Sequence, residues 1–152
     1  MKPKQEHTPL SILLADDDTD DCFFFNKALK EIFIATHLTT VHDGEQLMNY
    51  LFENSEHLPN VLFLDLSMPR KTGFDCLIDI KENKKLKDLP VIMLSTLFPR
   101  DNNYEQHIIK VLNTIGALDY IRKPSDYQAL KQIIHNALIT VIEKMSLNFQ
   151  GE

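Results

Sequence analysis

The sequence predicts a doubly wound α/β domain built on a parallel sheet, and three observations carry that expectation. Short apolar runs alternate five times with segments whose apolar residues recur at helical spacing. Three of the runs (residues 12–15, 61–64 and 91–94) are continuously apolar, the pattern of strands covered on both faces. Each of these runs ends in a polar residue able to do chemistry: Asp16-Asp17, Asp65 and Ser95-Thr96. Strand and helix in strict alternation imply parallel strands joined by right-handed crossovers, with helices on both faces of the sheet.

The elements follow in order. Residues 12–15 form a first strand, which stops at the acidic cluster Asp16 to Asp21. Thr19 or Asp20 can cap the next helix, whose apolar positions are Phe24, Phe25, Ala28, Leu29, Ile32 and Phe33. Residues 38–41 read as a second strand, and Asp43-Gly44 turns the chain into a helix on Leu47, Tyr50 and Leu51. Pro59-Asn60 precedes a third strand over residues 61–66, and Met68-Pro69 closes it. Thr72-Gly73 opens a helix with Phe74, Leu77, Ile78 and Ile80 on its apolar side. Pro90 leads into the fourth strand, residues 91–94. A loop with Pro99 follows, then a helix on Tyr104, Ile108, Val111, Leu112 and Ile115 that Gly116 stops. Residues 118–121 make a fifth strand, and residues 125–145 a last helix on Leu130, Ile133, Ile134, Ala137, Leu138 and Val141.

Length and composition bound the function. The chain has 152 residues, 43% of them hydrophobic and 25% charged, which fits one ordinary globular domain. We expect that domain over residues 10–145, between a flexible start (1–9) and a flexible tail (146–152). The net charge of −6 leaves no basic surplus for phosphate backbones, so nucleic acid is not an expected partner. No apolar run approaches the roughly 20 residues that cross a bilayer, and residues 1–9 lack the apolar core of a signal peptide. No membrane association and a cytoplasmic location are the resulting expectations. Cys22 and Cys76 are too few for a disulfide framework and read as small buried hydrophobes.

In doubly wound sheets the ligand lies beyond the carboxyl ends of the strands. Asp16, Asp17, Asp65, Ser95, Thr96 and Lys123 all fall there. Aspartate is depleted in strands and costly to bury alone, so Asp65 at the end of a buried strand points to chemistry. Carboxylates crowded at one edge repel one another unless a cation compensates them. An oxygen-only set suits Mg²⁺, and the absence of His or Cys argues against zinc. A carboxylate beside such a cation can serve as a nucleophile for a phosphoryl group. Lys123 and Ser95 supply the ammonium and hydroxyl that the outer phosphoryl oxygens require. Taken singly, each piece has an ordinary reading as a helix cap, a turn or a solvated loop; their joint occurrence in strand order is the signal.

The arrangement resembles the receiver domains of two-component response regulators, the chemotaxis-regulator-like group. The stretches that carry the likeness are residues 12–18 (ILLADDD), 64–69 (LDLSMP) with Gly73, 90–95 (PVIMLS), and 116–124, which ends in Tyr120, Ile121, Arg122, Lys123 and Pro124. The likeness spans about residues 10–142. It implies a flavodoxin-like sheet of five parallel strands in the order 2-1-3-4-5, flanked by five helices. It implies Asp65 as phosphoacceptor and Asp16 and Asp17 as the acidic pair that organises Mg²⁺, with Asp17 preferred as direct ligand and Ser67 contributing its backbone carbonyl. Ser95 resembles the hydroxyl residue that contacts the phosphoryl group, Lys123 its cationic partner, and Tyr120 the aromatic switch. Thr96 takes the place of a common Ala or Gly beside the phosphate, and Ser67 that of a frequent Asn. Residues 97–103, opening on Leu97 and closing on Asn103, look like an insertion.

The resemblance further implies a phosphorylation-dependent signalling switch and a stand-alone receiver, most similar to those paired with phytochrome-type and hybrid histidine kinases. Its donor would be a sensor histidine kinase or a histidine phosphotransfer protein, and its output an unidentified protein; a homodimer is left open. It implies no enzyme beyond self-phosphorylation and self-dephosphorylation. Two alternatives stand beside it. One is a phosphorylation-independent interaction module. The other is an aspartyl-phosphate phosphatase, against which Ser67 counts because a general acid is missing there.

Overall fold

The computed structural model describes residues 8–96 and 102–150. The proposed insertion from Leu97 lies mostly outside them, as do residues 1–7 and 151–152. Five strands, β1 (Leu10–Ala15), β2 (Thr36–Val41), β3 (Val61–Asp65), β4 (Val91–Ser95) and β5 (Asp119–Arg122), alternate with α1 (Thr19–Glu31), α2 (Gly44–Glu53), α3 (Gly73–Glu82), α4 (Asn102–Ile115) and α5 (Tyr127–Gln150). All pair in parallel in the order β2-β1-β3-β4-β5, as expected.

Burial explains which strands were easiest to foresee. Every residue of β3 and β4 is buried, whereas the edge strands β2 and β5 are partly exposed. The two-residue period of the strands sends alternate side chains into two separate cores. Leu13, Leu62, Leu64, Met93 and Tyr120 pack under α2, α3 and α4, while Ile12, Leu14, Phe63, Leu94 and Ile121 pack under α1 and α5. Within the second core Phe25 and Phe63 meet edge to face, their ring centroids 5.0 Å apart.

Three local expectations need correction. Asp18, not Thr19 or Asp20, caps α1, its carboxylate accepting the backbone N–H of Asp21. Helix α1 ends at Glu31, so Ile32 and Phe33 leave the helical period, and Phe33 is fully exposed rather than a core residue. Helix α5 continues to Gln150, beyond the expected end near Met145. It carries exposed Ile139, Ile142, Met145 and Leu147 along its outer side.

Candidate functional site

The carboxyl edge of the sheet gathers the predicted residues because of where each strand stops. Asp16 follows the last residue of β1 and is buried, with its backbone N–H bonded to the Val41 carbonyl. Asp65 is itself the last residue of β3, in register with Leu94 of β4. Ser95 ends β4 and is buried, and its carbonyl accepts the Lys123 backbone N–H at 2.7 Å. That bond extends the β4–β5 ladder by one step and fixes where the Lys123 side chain leaves β5.

Two glycines let the surrounding loops close in. A Cβ on Gly73 would lie 1.9 Å from the Asp65 carbonyl oxygen, so only glycine admits α3 this close to the strand end. A Cβ on Gly44 would meet the Lys71 carbonyl at 2.2 Å, which ties the start of α2 to the loop between β3 and α3. In that loop Arg70 adopts φ 70°, a left-handed conformation uncommon for a residue other than glycine. Its guanidinium faces Asp43 at 3.6 Å and Glu45 at 3.7 Å, at the N-terminus of α2.

Carboxylate oxygens of Asp16, Asp17 and Asp65 lie within 4.8 Å of one another. Asp16 and Asp65 are buried, whereas Asp17 is exposed at the mouth. Asp65 Oδ1 accepts the Ser67 backbone N–H at 3.1 Å, and Asp16 Oδ1 accepts the Asp18 N–H at 3.0 Å, so both carboxylates are oriented by main chain. The hollow above them has a volume of about 460 Å³ and is lined by Asp17, Asp18, Thr19, Asp20, Asp21, Asp65, Ser67 and Thr96. Such an oxygen-rich hollow fits a hard divalent cation. Ser67 and Thr96 are exposed on its wall.

Lys123 answers this negative charge. Its Nζ donates to Asp16 Oδ2 at 2.6 Å, Asp21 Oδ2 at 2.9 Å and Asp65 Oδ2 at 3.4 Å. Burial pushes the Lys123 ammonium toward neutrality, but the Asp16 hydrogen bond and charge, with Asp65 and Asp21, more than reverse that and raise its pKa. The Asp65 carboxyl is pushed up to about 6, chiefly by burial and secondarily by Asp16, while Lys123 and the Ser67 N–H pull it back. A carboxylate so placed is destabilised until a further positive charge arrives.

Strand alternation sorts the remaining residues. Lys123 projects to the side of the sheet held by α1, where Asp21 sits. Tyr120 projects to the α4 side, as does Arg122, which pairs with Glu105 at 3.6 Å. The Tyr120 hydroxyl is buried near Ser95; burial raises its pKa and the neighbouring Ser95 side chain partly offsets this. All of the residues expected at the site therefore gather at one edge, with Tyr120 reaching it through Ser95. Cys22 and Cys76 lie nearby, on α1 and α3, with pKa values pushed to about 11 by burial, so neither thiol is poised to react.

Two contacts had no counterpart in the sequence reading. Asp21 joins the carboxylates around Lys123, and His42 places Nδ1 3.2 Å from the Asp16 carbonyl oxygen. Asp21 was visible only as one more acid in a capping region. His42 had no signal beyond its place at the end of β2.

Comparison with known proteins decides the family. The response regulator receiver domain family matches residues 12–135. The chain belongs to that family. It is 35% identical over 112 residues to response regulator Rcp1 of Synechocystis sp., covering 68% of this chain and 76% of that one. It is 34% identical over 125 residues to the two-component response regulator ORR12 of Oryza sativa subsp. japonica, covering 82% and 94%. Among solved structures, the Mn²⁺-bound form of Rcp1 superposes with a TM-score of 0.71 at 27% identity, covering 84% of this chain and 91% of that chain. The phosphorylated cyanobacterial phytochrome response regulator RcpA gives 0.72 at 28%, covering 86% and 91%. As a receiver domain the chain has the fold and acidic pocket of a two-component signalling module. No described helix is long and apolar enough to cross a membrane.

Proposed function

We propose that this receiver is a phosphorylation-dependent switch that takes a phosphoryl group from a phosphohistidine onto Asp65. The observation that carries the reading is the meeting of Asp65 Oδ2 with the Lys123 ammonium at 3.4 Å beside the Asp16, Asp17 and Asp65 cluster. In the transfer an Asp65 oxygen attacks phosphorus, the P–N bond of the donor breaks, and the imidazole leaves with the electron pair and regains a proton from water. Asp16, Asp17, Asp65 and the Ser67 backbone carbonyl would hold Mg²⁺. When bound, that ion supplies charge compensation for the phosphoryl oxygens and alignment for the displacement.

The chain's own residues do the rest. The Ser67 N–H holds Oδ1 and thereby fixes the rotation of the acceptor. Lys123 shifts one donor from the carboxylate to a phosphoryl oxygen, a charge-assisted bond of the stronger kind. Ser95 offers its hydroxyl to another, and the Tyr120 side chain beside it follows, altering the face formed by α4 and β5. Thr96 borders the path of a hydrolytic water. The output of the switch is binding of another protein at that face, and the protein catalyses only its own phosphoryl transfer and dephosphorylation.

Similarity to the cyanobacterial phytochrome response regulator RcpA supports a phytochrome-type histidine kinase as donor, with a hybrid histidine kinase or a phosphotransfer protein as the alternative and the cytoplasm as the expected setting. The receiver unit is residues 10–145, and a homodimer belongs to the partners to be tested. Incubation with acetyl phosphate and Mg²⁺ should add one phosphoryl group at Asp65, found by mass spectrometry after borohydride trapping. No modification with either acetyl phosphate or a donor kinase would end the reading.

A further inference from the structure

We propose that Asp21 is a positioning residue for Lys123: it holds the ammonium toward α1 and so sets how the site divides its affinity between a divalent cation and a phosphoryl anion. This rests on the reading of Asp65 as acceptor and extends it to a residue outside that set.

The geometry singles Asp21 out. The Lys123 ammonium has three N–H donors, and three carboxylates surround it. Two of these, Asp16 and Asp65, belong to the cluster able to hold a cation, and Asp21 does not. Asp21 is nevertheless nearer to Nζ than Asp65 is, at 2.9 Å against 3.4 Å. Its position is firm: it lies in the first turn of α1, with its backbone N–H held by the Asp18 cap at 3.0 Å. A negative charge there is favoured by the helix dipole.

Asp21 also stands between two hollows. It lines the acidic one above Asp65, and it lines a second cavity of about 240 Å³ whose wall includes Lys123, Phe24, Ile121 and Tyr127. The pair it makes with Lys123 is partly shielded, with side-chain exposures of 33% and 10%. It is therefore stronger than a surface ion pair and free of the full desolvation cost of a buried one.

Removing the Asp21 charge leaves the ammonium less neutralised and turns it toward Asp65. A cation entering beside Asp65 then meets more repulsion, and an anion at Asp65 meets more attraction. The two affinities must move in opposite directions, which a loss of structure cannot mimic, since disorder weakens both.

The test compares the full chain with Asp21→Asn, Asp21→Ser and Asp21→Glu by titration calorimetry. The probes are Mg²⁺ alone and then beryllium fluoride in saturating Mg²⁺. The Asn and Ser variants should bind Mg²⁺ about threefold to tenfold more weakly and beryllium fluoride about threefold to tenfold more tightly, and Glu should return both toward the parent values. Shifts of the same sign, or neither exceeding about twofold, would overturn the role of Asp21 while leaving the acceptor reading intact. Failure of the parent protein to bind either probe would overturn the acceptor reading itself, and the Asp21 inference with it.

Discussion

Lys123 sits closer to Asp16 than to Asp65, 2.6 Å against 3.4 Å, so the buried ammonium is held by the carboxylate that follows β1 and only leans on the one that ends β3. Replacing it with an apolar side chain of similar length exposes how much of the edge depends on it. Lys123→Met should cost about 3 kcal/mol of stability in EDTA, because buried Asp16 loses its counter-ion. Mg²⁺ should restore much of this loss, and phosphorylation of Asp65 should slow sharply. Urea unfolding with and without Mg²⁺, beside a phosphorylation time course, reads all three.

Asp65 predicts a pH dependence of opposite sense to that of a salt-bridged acid. Its pKa is raised from 3.8 to about 6 in the folded protein, so the folded state keeps a proton that the unfolded state has released. The contribution of this group to stability is fully present below about pH 4 and is lost as pH rises through 6. Asp65→Asn removes that loss. Without metal the variant should be more stable than the parent at pH 7.5 by about 1–3 kcal/mol, with the difference shrinking toward zero near pH 4. Denaturation curves from pH 4 to 8 in EDTA test the sign.

Gly73 predicts a linkage between packing and acceptor. In Gly73→Ala the new Cβ must displace the Asp65 main chain, since it would otherwise lie 1.9 Å from that carbonyl. We expect about 1–3 kcal/mol of destabilisation. Mg²⁺ affinity should fall as well, a loss that even a more destabilising core variant does not produce.

Phe63 supplies that control. It is fully buried two residues before Asp65 and stacked edge-on to Phe25 in the core beneath α1 and α5. Phe63→Ala should cost about 3–5 kcal/mol by thermal or urea unfolding. Mg²⁺ binding to the fraction that remains folded should change little.

Much of the fold was legible because its central strands are buried on both sides. A strand such as Val61–Asp65, with every residue inside, cannot be written in polar residues, and an Asp at its end stands out against that background. Edge strands and helix ends were harder to read. Nothing near Glu31 marks the end of α1 as Gly116 marks that of α4, so the apolar period ran on falsely to Phe33. The cap of α1 was ambiguous because Asp18, Thr19 and Asp20 are all able to serve, and only backbone geometry chose among them. The Asp21–Lys123 contact joins residues 102 positions apart, and no local spacing encodes it.

The division of the site by the sheet has a consequence for how such a module diverges. Lys123 and Asp21 lie on one face of the sheet, and Ser95 with Tyr120 on the other. Under the switch reading, drift along α1 would retune the clock of the signal, whereas drift along α4 and β5 would change its audience. Duplicated copies of this chain could thus acquire new listeners while keeping an inherited tempo.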